Sequence, residues 1–361
     1  MINSLLFTLI LPFIPTFLLG GYYNTVKISI QSQTNNTYCQ NQSQERCVPS
    51  AIKSDNSEGT VESAQSGLIN ENDFSKKNLL QTDNPQTVTL PEKVNQEANL
   101  KLWAGSSVAI DVNSGTILHY DEGKKKTQVA SLTKMMTAIL VMEKIKDLNE
   151  EVSITREALK VPGTVIGCPR SGYCPSNRLY VGEKVKAIDL LKAMLMNSAN
   201  DAATALGIHI AGSTEKFVQI MNDKAKSLGY NDTNFCTPSG LEIDGREDQC
   251  YSTAYDIARI AAYSLQYDKI WEIMRIPDAQ IYSCDGKYMH QLNNTDLLLS
   301  TMSNCLGGKT GFTPMAGKSL LLGSSDPSGK HKIIAVILND EKRWEDMKTL
   351  VDWVFTNYKW K

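Results

Sequence analysis

The chain has 361 residues, enough for two ordinary domains or for one large domain with an extension. Its 37 Lys and Arg set against 39 Asp and Glu leave a formal charge of −2, which excludes the basic excess that nucleic acid or an anionic membrane surface selects. Four histidines (His119, His209, His290, His331) are too few for a poly-histidine metal centre, and neither a metal nor any other cofactor is expected.

From Leu5 to Leu19 the chain is almost continuously apolar, and no charged side chain precedes Lys27. That length suits the core of an export signal better than a membrane span, which needs about 20 residues. Pro12, Pro15 and the polar tract beyond argue against a buried helix. Residues 1–23 therefore read as a signal peptide or an N-terminal membrane anchor, which places the protein outside the cytoplasm, in a periplasm or at a cell surface. Residues 24–96 are rich in Asn, Gln, Ser, Thr and Glu, with Tyr38 and Phe74 as their aromatics. Such a segment cannot bury enough apolar surface to offset chain entropy, so it reads as a disordered polar linker.

The remainder, 97–361, reads as one α/β (α+β) domain. Val108–Asp111 and Ile117–Leu118 flank Asn113-Ser114-Gly115, a hairpin turn. Helical apolar spacing follows at 131–146, 188–196, 202–210, 217–228, 254–265 and 344–355. The runs 319–322 and 333–338 are strand-like and are joined by a turn at Asp326-Pro327-Ser328-Gly329. Strands at both ends with helices between predict an antiparallel sheet assembled from distant segments beside a helical cluster. Eight cysteines fall into the neighbour couples 39/47, 168/174, 236/250 and 284/305, without a Cys-x-x-Cys zinc spacing. They read as disulfides if the chain is exported and as buried thiols if not, and about 105 connectivities remain open.

Three short motifs stand in order: Ser131-Leu132-Thr133-Lys134, Ser198-Ala199-Asn200 and Lys309-Thr310-Gly311. Ser131 opens an apolar-periodic helix, and Lys134 lies one turn on along the same face. A serine hydroxyl attacks only once a base takes its proton, and lysine is a base only where burial or a nearby cation lowers its pKa. Lys309 is the candidate cation. Taken alone, the first motif is equally an N-cap serine followed by an exposed lysine. Ser198 and Asn200 offer a hydroxyl and a carboxamide from between two helices, or merely end one helix and cap the next. Gly307–Phe312 combines small residues with an ammonium and a hydroxyl, as an edge strand receiving an extended peptide requires, or is a turn that binds nothing. A phosphate loop is excluded there because Ser303 occupies its first glycine position. Ser-x-x-Lys recurs at 50–53 and 213–216, and Ser54-Asp55-Asn56 imitates the second motif within the linker.

With these motifs the chain resembles the serine D-alanyl-D-alanine carboxypeptidases, the low-molecular-mass penicillin-binding proteins of bacterial cell walls. The likeness extends through 130–138, 197–203, 217–228, Asn234-Phe235, Pro238-Ser239-Gly240-Leu241, 252–256 and 309–317, with intervals of 67 and 111 residues between the three motif starts. It implies a β-lactamase/transpeptidase-like fold: an antiparallel sheet flanked by helices, with an all-helical subdomain. It also implies a two-step acyl transfer on a peptidoglycan stem peptide, without a cofactor, and β-lactams as covalent inhibitors. Ser131 would be the nucleophile, Lys134 its base and Ser198 the proton relay. Asn200 would hold the substrate backbone, Lys309, Thr310 and Arg343 its terminal carboxylate, and the Ser131 and Phe312 N–H groups the oxyanion.

Departures from the family pattern are few. The chain stops at Lys361, after the expected last helix, so membrane attachment is expected from the N-terminal segment. Asn294-Thr295-Asp296 stands where Asn-Thr-Asn is expected, and 168–174 is an insertion whose cysteines would pin a loop near the cleft. A β-lactamase would need a deacylating glutamate in a Glu-x-x-Leu-Asn context, which is not evident. An endopeptidase on the same scaffold and a non-catalytic cell-wall binding module are the other readings.

Overall fold

The apolar run Ile333–Leu338 lies at the centre of the fold, in strand β10 (Lys332–Leu338). The structure, a computed structural model, describes residues 89–96, 99–168, 174 and 176–361, all within the unit Ile69–Lys361. The signal or anchor expected over 1–23, most of the linker, Cys39, Cys47 and the imitation motifs at 50–56 lie outside the described residues.

β10 pairs on one side with β2 (Ser106–Asp111) and on the other with β9 (Gly317–Ser325). Beyond β2 lies β3 (Ile117–Asp121), and beyond β9 lies β8 (Cys305–Thr313), giving an antiparallel order β3-β2-β10-β9-β8. Side chains alternate across the sheet with period two. Val108, Ile110, Leu321, Ile334, Val336 and Leu338 face a helical layer, while Ala109, Leu320, Leu322, Ile333, Ala335 and Ile337 face Met347, Leu350, Val351 and Val354 of α7 (Arg343–Asn357). Both faces are covered, which is why these strands read as continuous apolar runs rather than alternating ones.

The helical layer surrounds α1 (Lys134–Lys144), whose first eight residues are all buried. A helix apolar on every side belongs at the middle of a cluster, and α2 (Ala187–Met196), α3 (Asn200–Ala211), α4 (Thr214–Ser227) and α5 (Ala254–Ser264) share its core. The helix expected from residue 131 begins differently: Ala130–Thr133 form a 3-10 turn and the α-helix starts at Lys134. Five elements escaped the sequence patterns: the short strands β4 (Glu151–Ser153) and β5 (Lys184–Lys186), the helix α6 (Asp268–Met274), and the hairpin strands β6 (Asp278–Tyr282) and β7 (Met289–Asn293).

The expected boundary at 97 moves. β1 (Pro91–Lys93) pairs antiparallel with β11 (Tyr358–Trp360), Pro91 opposite Trp360 and Lys93 opposite Tyr358. The last residues assigned to the linker are therefore part of the fold, held by a ladder to the far end of the chain that no local pattern announces.

Among the described cysteines, the sulfurs of Cys168 and Cys174 are 2.03 Å apart and those of Cys236 and Cys250 are 2.07 Å apart. The couple 284/305 does not form. Cys284 is tied by its backbone N–H to Lys184 O of β5, whereas Cys305 is buried opposite Ser324 at the head of β8.

Candidate active site

Three connections converge where the helical layer meets the edge strand β8. The first is the 3-10 turn before α1. Ala130 has φ 47°, a left-handed backbone that turns the chain sharply into the helix and leaves Ser131 partly accessible at its mouth. Lys134, three residues on, is wholly buried. Its Nζ lies 2.8 Å from Ser131 Oγ, 2.7 Å from Asn200 Oδ1 and 2.7 Å from the Ser239 carbonyl oxygen.

The second is the three-residue break between α2 and α3. Ser198 has φ 58°, and α3 then opens at Asn200. Asn200 is fixed at both ends: its Nδ2 donates to Pro162 O at 2.7 Å, and its backbone N–H donates to Thr164 O at 2.8 Å. Asp201 next to it accepts from the Ile166 and Ala202 N–H groups, and burial pushes its carboxyl up to about 6. The chain from Pro162 to Ile166 therefore packs along the start of α3, two residues before Cys168, whose sulfur is joined to that of Cys174.

The third is β8. Gly311 passes so close to the first turn that a Cβ on it would lie 3.0 Å from Val129 O, a tight contact that a larger residue would relieve only by shifting the strand or the turn by a few tenths of an ångström. Lys309 is fully buried and its Nζ donates to Ser198 Oγ at 2.8 Å and to Thr310 O at 3.0 Å. The Thr310 hydroxyl meets that of Thr295 at 2.7 Å, and Phe312 on the same strand is 40% exposed. Behind the strand, Arg343 Nη1 donates to Gly311 O at 3.1 Å, while its buried Nε has no hydrogen-bond partner.

Electrostatics follow from this burial. The Lys134 pKa is driven well below its usual value, first by loss of hydration and then by the Lys309 charge, against the opposing pull of Asp201. Lys309 is lowered to about 7, by burial first and Arg343 second, with Asp296 opposing. Arg343 is itself lowered by burial. A neutral amine at Lys134 has two N–H donors to spend and one lone pair. Asn200 Oδ1 and Ser239 O can only accept, so they take the two N–H groups and leave the lone pair directed at the Ser131 hydroxyl.

All eight residues expected at the site fall within these three connections or directly behind them: Ser131, Lys134, Ser198 and Asn200 in the first two, Lys309, Thr310 and Phe312 on β8, and Arg343 at the start of α7. Sequence reasoning did not single out the Ser239 carbonyl, because a backbone oxygen carries no side-chain signature. Its signal is Gly240, at φ 82°, where a Cβ would fall 1.9 Å from Ala130 O. Thr295 and Asp201 were also unassigned. The second Ser-x-x-Lys resolves as a helix cap, Ser213 Oγ accepting from Lys216 N–H at 3.3 Å.

Comparison with known proteins bears on the same residues. The family model described as D-alanyl-D-alanine carboxypeptidase matches residues 91–342. A D-alanyl-D-alanine carboxypeptidase of Bacillus subtilis is 32% identical over 265 residues, covering 71% of this chain and 63% of its own length. A D-alanyl-D-alanine endopeptidase of Pseudomonas aeruginosa is 30% identical over 234 residues, 64% of this chain and 70% of the relative. A penicillin-binding protein of Listeria monocytogenes, solved in its ampicillin-bound form, superposes with a TM-score of 0.60 at 29% identity, covering 72% of this chain and 100% of that one. The chain thus spans less than two thirds of the length of the Bacillus relative. A family match over some 70% of the sequence, on the same fold and through all three motifs, decides the classification: the chain belongs to the D-alanyl-D-alanine carboxypeptidase family.

Proposed function

We propose that the protein is a serine-type D-Ala-D-Ala carboxypeptidase that removes the terminal D-alanine from peptidoglycan stem pentapeptides. The observation that carries this reading is a pair of lysines, each fully withdrawn from water and each hydrogen-bonded to a serine hydroxyl at 2.8 Å. Burying two ammonium groups costs several kcal/mol apiece unless they are paired or serve the chemistry. Neither touches a carboxylate at salt-bridge distance here, so the cost is invested in reactivity.

Ser131 Oγ attacks the carbonyl between the two D-alanines as its proton passes to Lys134 Nζ. The Ser131 and Phe312 N–H groups receive the developing oxyanion, a contribution of about 3–4 kcal/mol per donor in comparable sites. The C–N bond then breaks, and Ser198, held by Lys309, passes a proton to the departing amine. Water hydrolyses the ester and restores Ser131. Lys309, Thr310 and the Arg343 charge behind β8 suit a terminal carboxylate, while Asn200 suits the peptide backbone. β-Lactams would acylate the same serine. The apolar stretch 5–19 and the two joined cysteine pairs support action outside the cytoplasm, after export through a cleaved signal or on a retained anchor.

The experiment offers three substrates to the purified protein: a stem pentapeptide, a cross-linked stem dimer and benzylpenicillin. The carboxypeptidase reading expects D-alanine release from the first, little cleavage of the second and a long-lived acyl-enzyme with the third. Preferential cleavage of the dimer would make the protein an endopeptidase, as the name of the Pseudomonas relative prompts, and rapid penicillin turnover would make it a β-lactamase.

A further inference from the structure

The loop between Cys236 and Cys250 is closed twice at its neck. Asn234 and Tyr251 exchange backbone hydrogen bonds of 2.8 and 3.0 Å, and the joined sulfurs of Cys236 and Cys250 lie immediately inside them. From there the loop reaches the reactive centre at several points. Pro238 O accepts from Thr137 Oγ1 at 2.7 Å, and Ser239 O accepts from Lys134 Nζ at 2.7 Å. Gly240 presses on the Ala130 carbonyl, where a Cβ would fall 1.9 Å away. Glu247 O accepts from Gln128 Nε2 at 3.0 Å, and Glu242 accepts from Thr313 Oγ1 on β8.

None of residues 241–250 is buried, and their one regular element is the single 3-10 turn Glu247–Gln249. No apolar core fixes its outer limb, whose course is held by the closed neck and by its hydrogen bonds to Gln128 and Thr313, while Ser239 itself is buried. The Ser239 carbonyl is a backbone atom, and its place follows the course of the loop rather than any rotamer.

We propose that the Cys236–Cys250 cross-link is a positioning device for the acylation step, holding the Ser239 carbonyl on Lys134 Nζ so that the amine's lone pair stays on the Ser131 hydroxyl. The proposal rests on the reading of Lys134 as the base. Opening the cross-link enlarges the conformational space of the loop. The carbonyl then leaves the amine, water reaches it, and the lone pair is no longer directed. Misplacement by about 1 Å can cost on the order of 100-fold in rate. Hydration also returns the Lys134 pKa toward its ordinary value, leaving less of the amine neutral at pH 7.

The test follows acylation by a fluorescent penicillin, across pH, in the full chain before and after dithiothreitol, which gives two electrons and two protons to the protein disulfide, leaving two thiols, and itself becomes a cyclic disulfide. Two variants accompany it, Cys236→Ser with Cys250→Ser and Cys168→Ser with Cys174→Ser. Reduction is expected to slow the wild type by about tenfold or more, to move the acid limb of its profile to higher pH, and to be reversed by reoxidation. The 236/250 variant should be slow and indifferent to the reductant, and the 168/174 variant should respond like the wild type. Unchanged rate and profile on reduction would overturn the proposal, as would a slower rate that tracks a lower unfolding temperature without any shift of the limb. Hydrogen exchange across residues 130–134 on the same samples reads the positioning without labelling: faster exchange on reduction supports it and unchanged exchange overturns it. An oxidised protein that never labels would contradict the acyl-transfer reading instead.

Discussion

Lysine serves as a base near neutral pH only where the protein makes its ammonium costly, and Lys134 is placed to bear that cost. Its burial and the Lys309 charge both favour the neutral amine, so acylation should be lost as pH falls through its depressed pKa. Lys134→Arg keeps length and charge but cannot give up a proton. It should acylate about 100- to 10,000-fold more slowly than the wild type, measured as the second-order rate with a β-lactam. Lys309 titrates in the opposite functional sense. As pH rises through about 7 it loses the charge that suits a carboxylate, so KM for a carboxylated peptide should rise above that pH while kcat is less affected. A bound carboxylate shifts this limb upward by favouring the ammonium. Ser198 tests the relay. Its φ of 58° is one that glycine adopts freely, so Ser198→Gly adds no backbone strain. A fall in acylation with an unchanged unfolding temperature would assign the loss to the hydroxyl itself.

At the scale of elements, the reactive centre is made by breaks in regular structure: a 3-10 turn, a three-residue gap between helices and the edge of a sheet. These places were legible in the sequence where side chains carry the chemistry. Ser131, Lys134, Ser198, Asn200, Lys309 and Thr310 stood out because a hydroxyl beside an amine, or an amine among glycines, is chemically distinctive. The Ser239 carbonyl and the hydroxyl pair of Thr295 with Thr310 were not legible, since the one has no side chain and the other depends on how β8 packs. Among the elements, α6 has seven residues and β6 and β7 have five each, too short for periodicity to declare them. Gly240 gives an element-scale test with its own control. Gly240→Ala meets both a left-handed φ and a backbone oxygen at 1.9 Å, whereas Gly245→Ala in the same loop, at φ 77°, meets nothing within 4 Å. The second should cost only backbone strain, about 1 kcal/mol, and keep its activity. The first should lower the unfolding temperature clearly further and slow acylation.

Across the described residues, the first and last strands of the fold lie side by side. β1 lies on β11, Trp360 Nε1 donates to Asp111 Oδ1 at 2.8 Å, and Tyr358 OH donates to Leu118 O at 2.8 Å. The antiparallel sheet beside a helical cluster was legible because long apolar runs and strong helical periodicity declare it. The boundary at 97 was misread because Pro91-Glu92-Lys93 is polar and finds its partner 260-odd residues away, beyond the reach of any local pattern. A chain beginning at residue 97 should therefore unfold at a lower temperature than one beginning at 89, by about 2–4 °C for each kcal/mol of lost pairing, while keeping its acylation rate. Equal unfolding temperatures would make the β1–β11 ladder dispensable. If one serine, activated by one buried lysine, performs the acyl transfer, then D-alanine release from a stem pentapeptide by the wild type and by Ser131→Ala separates the outcomes. The wild type should release D-alanine with turnover and the variant should release none above background; equal release by both would contradict the mechanism.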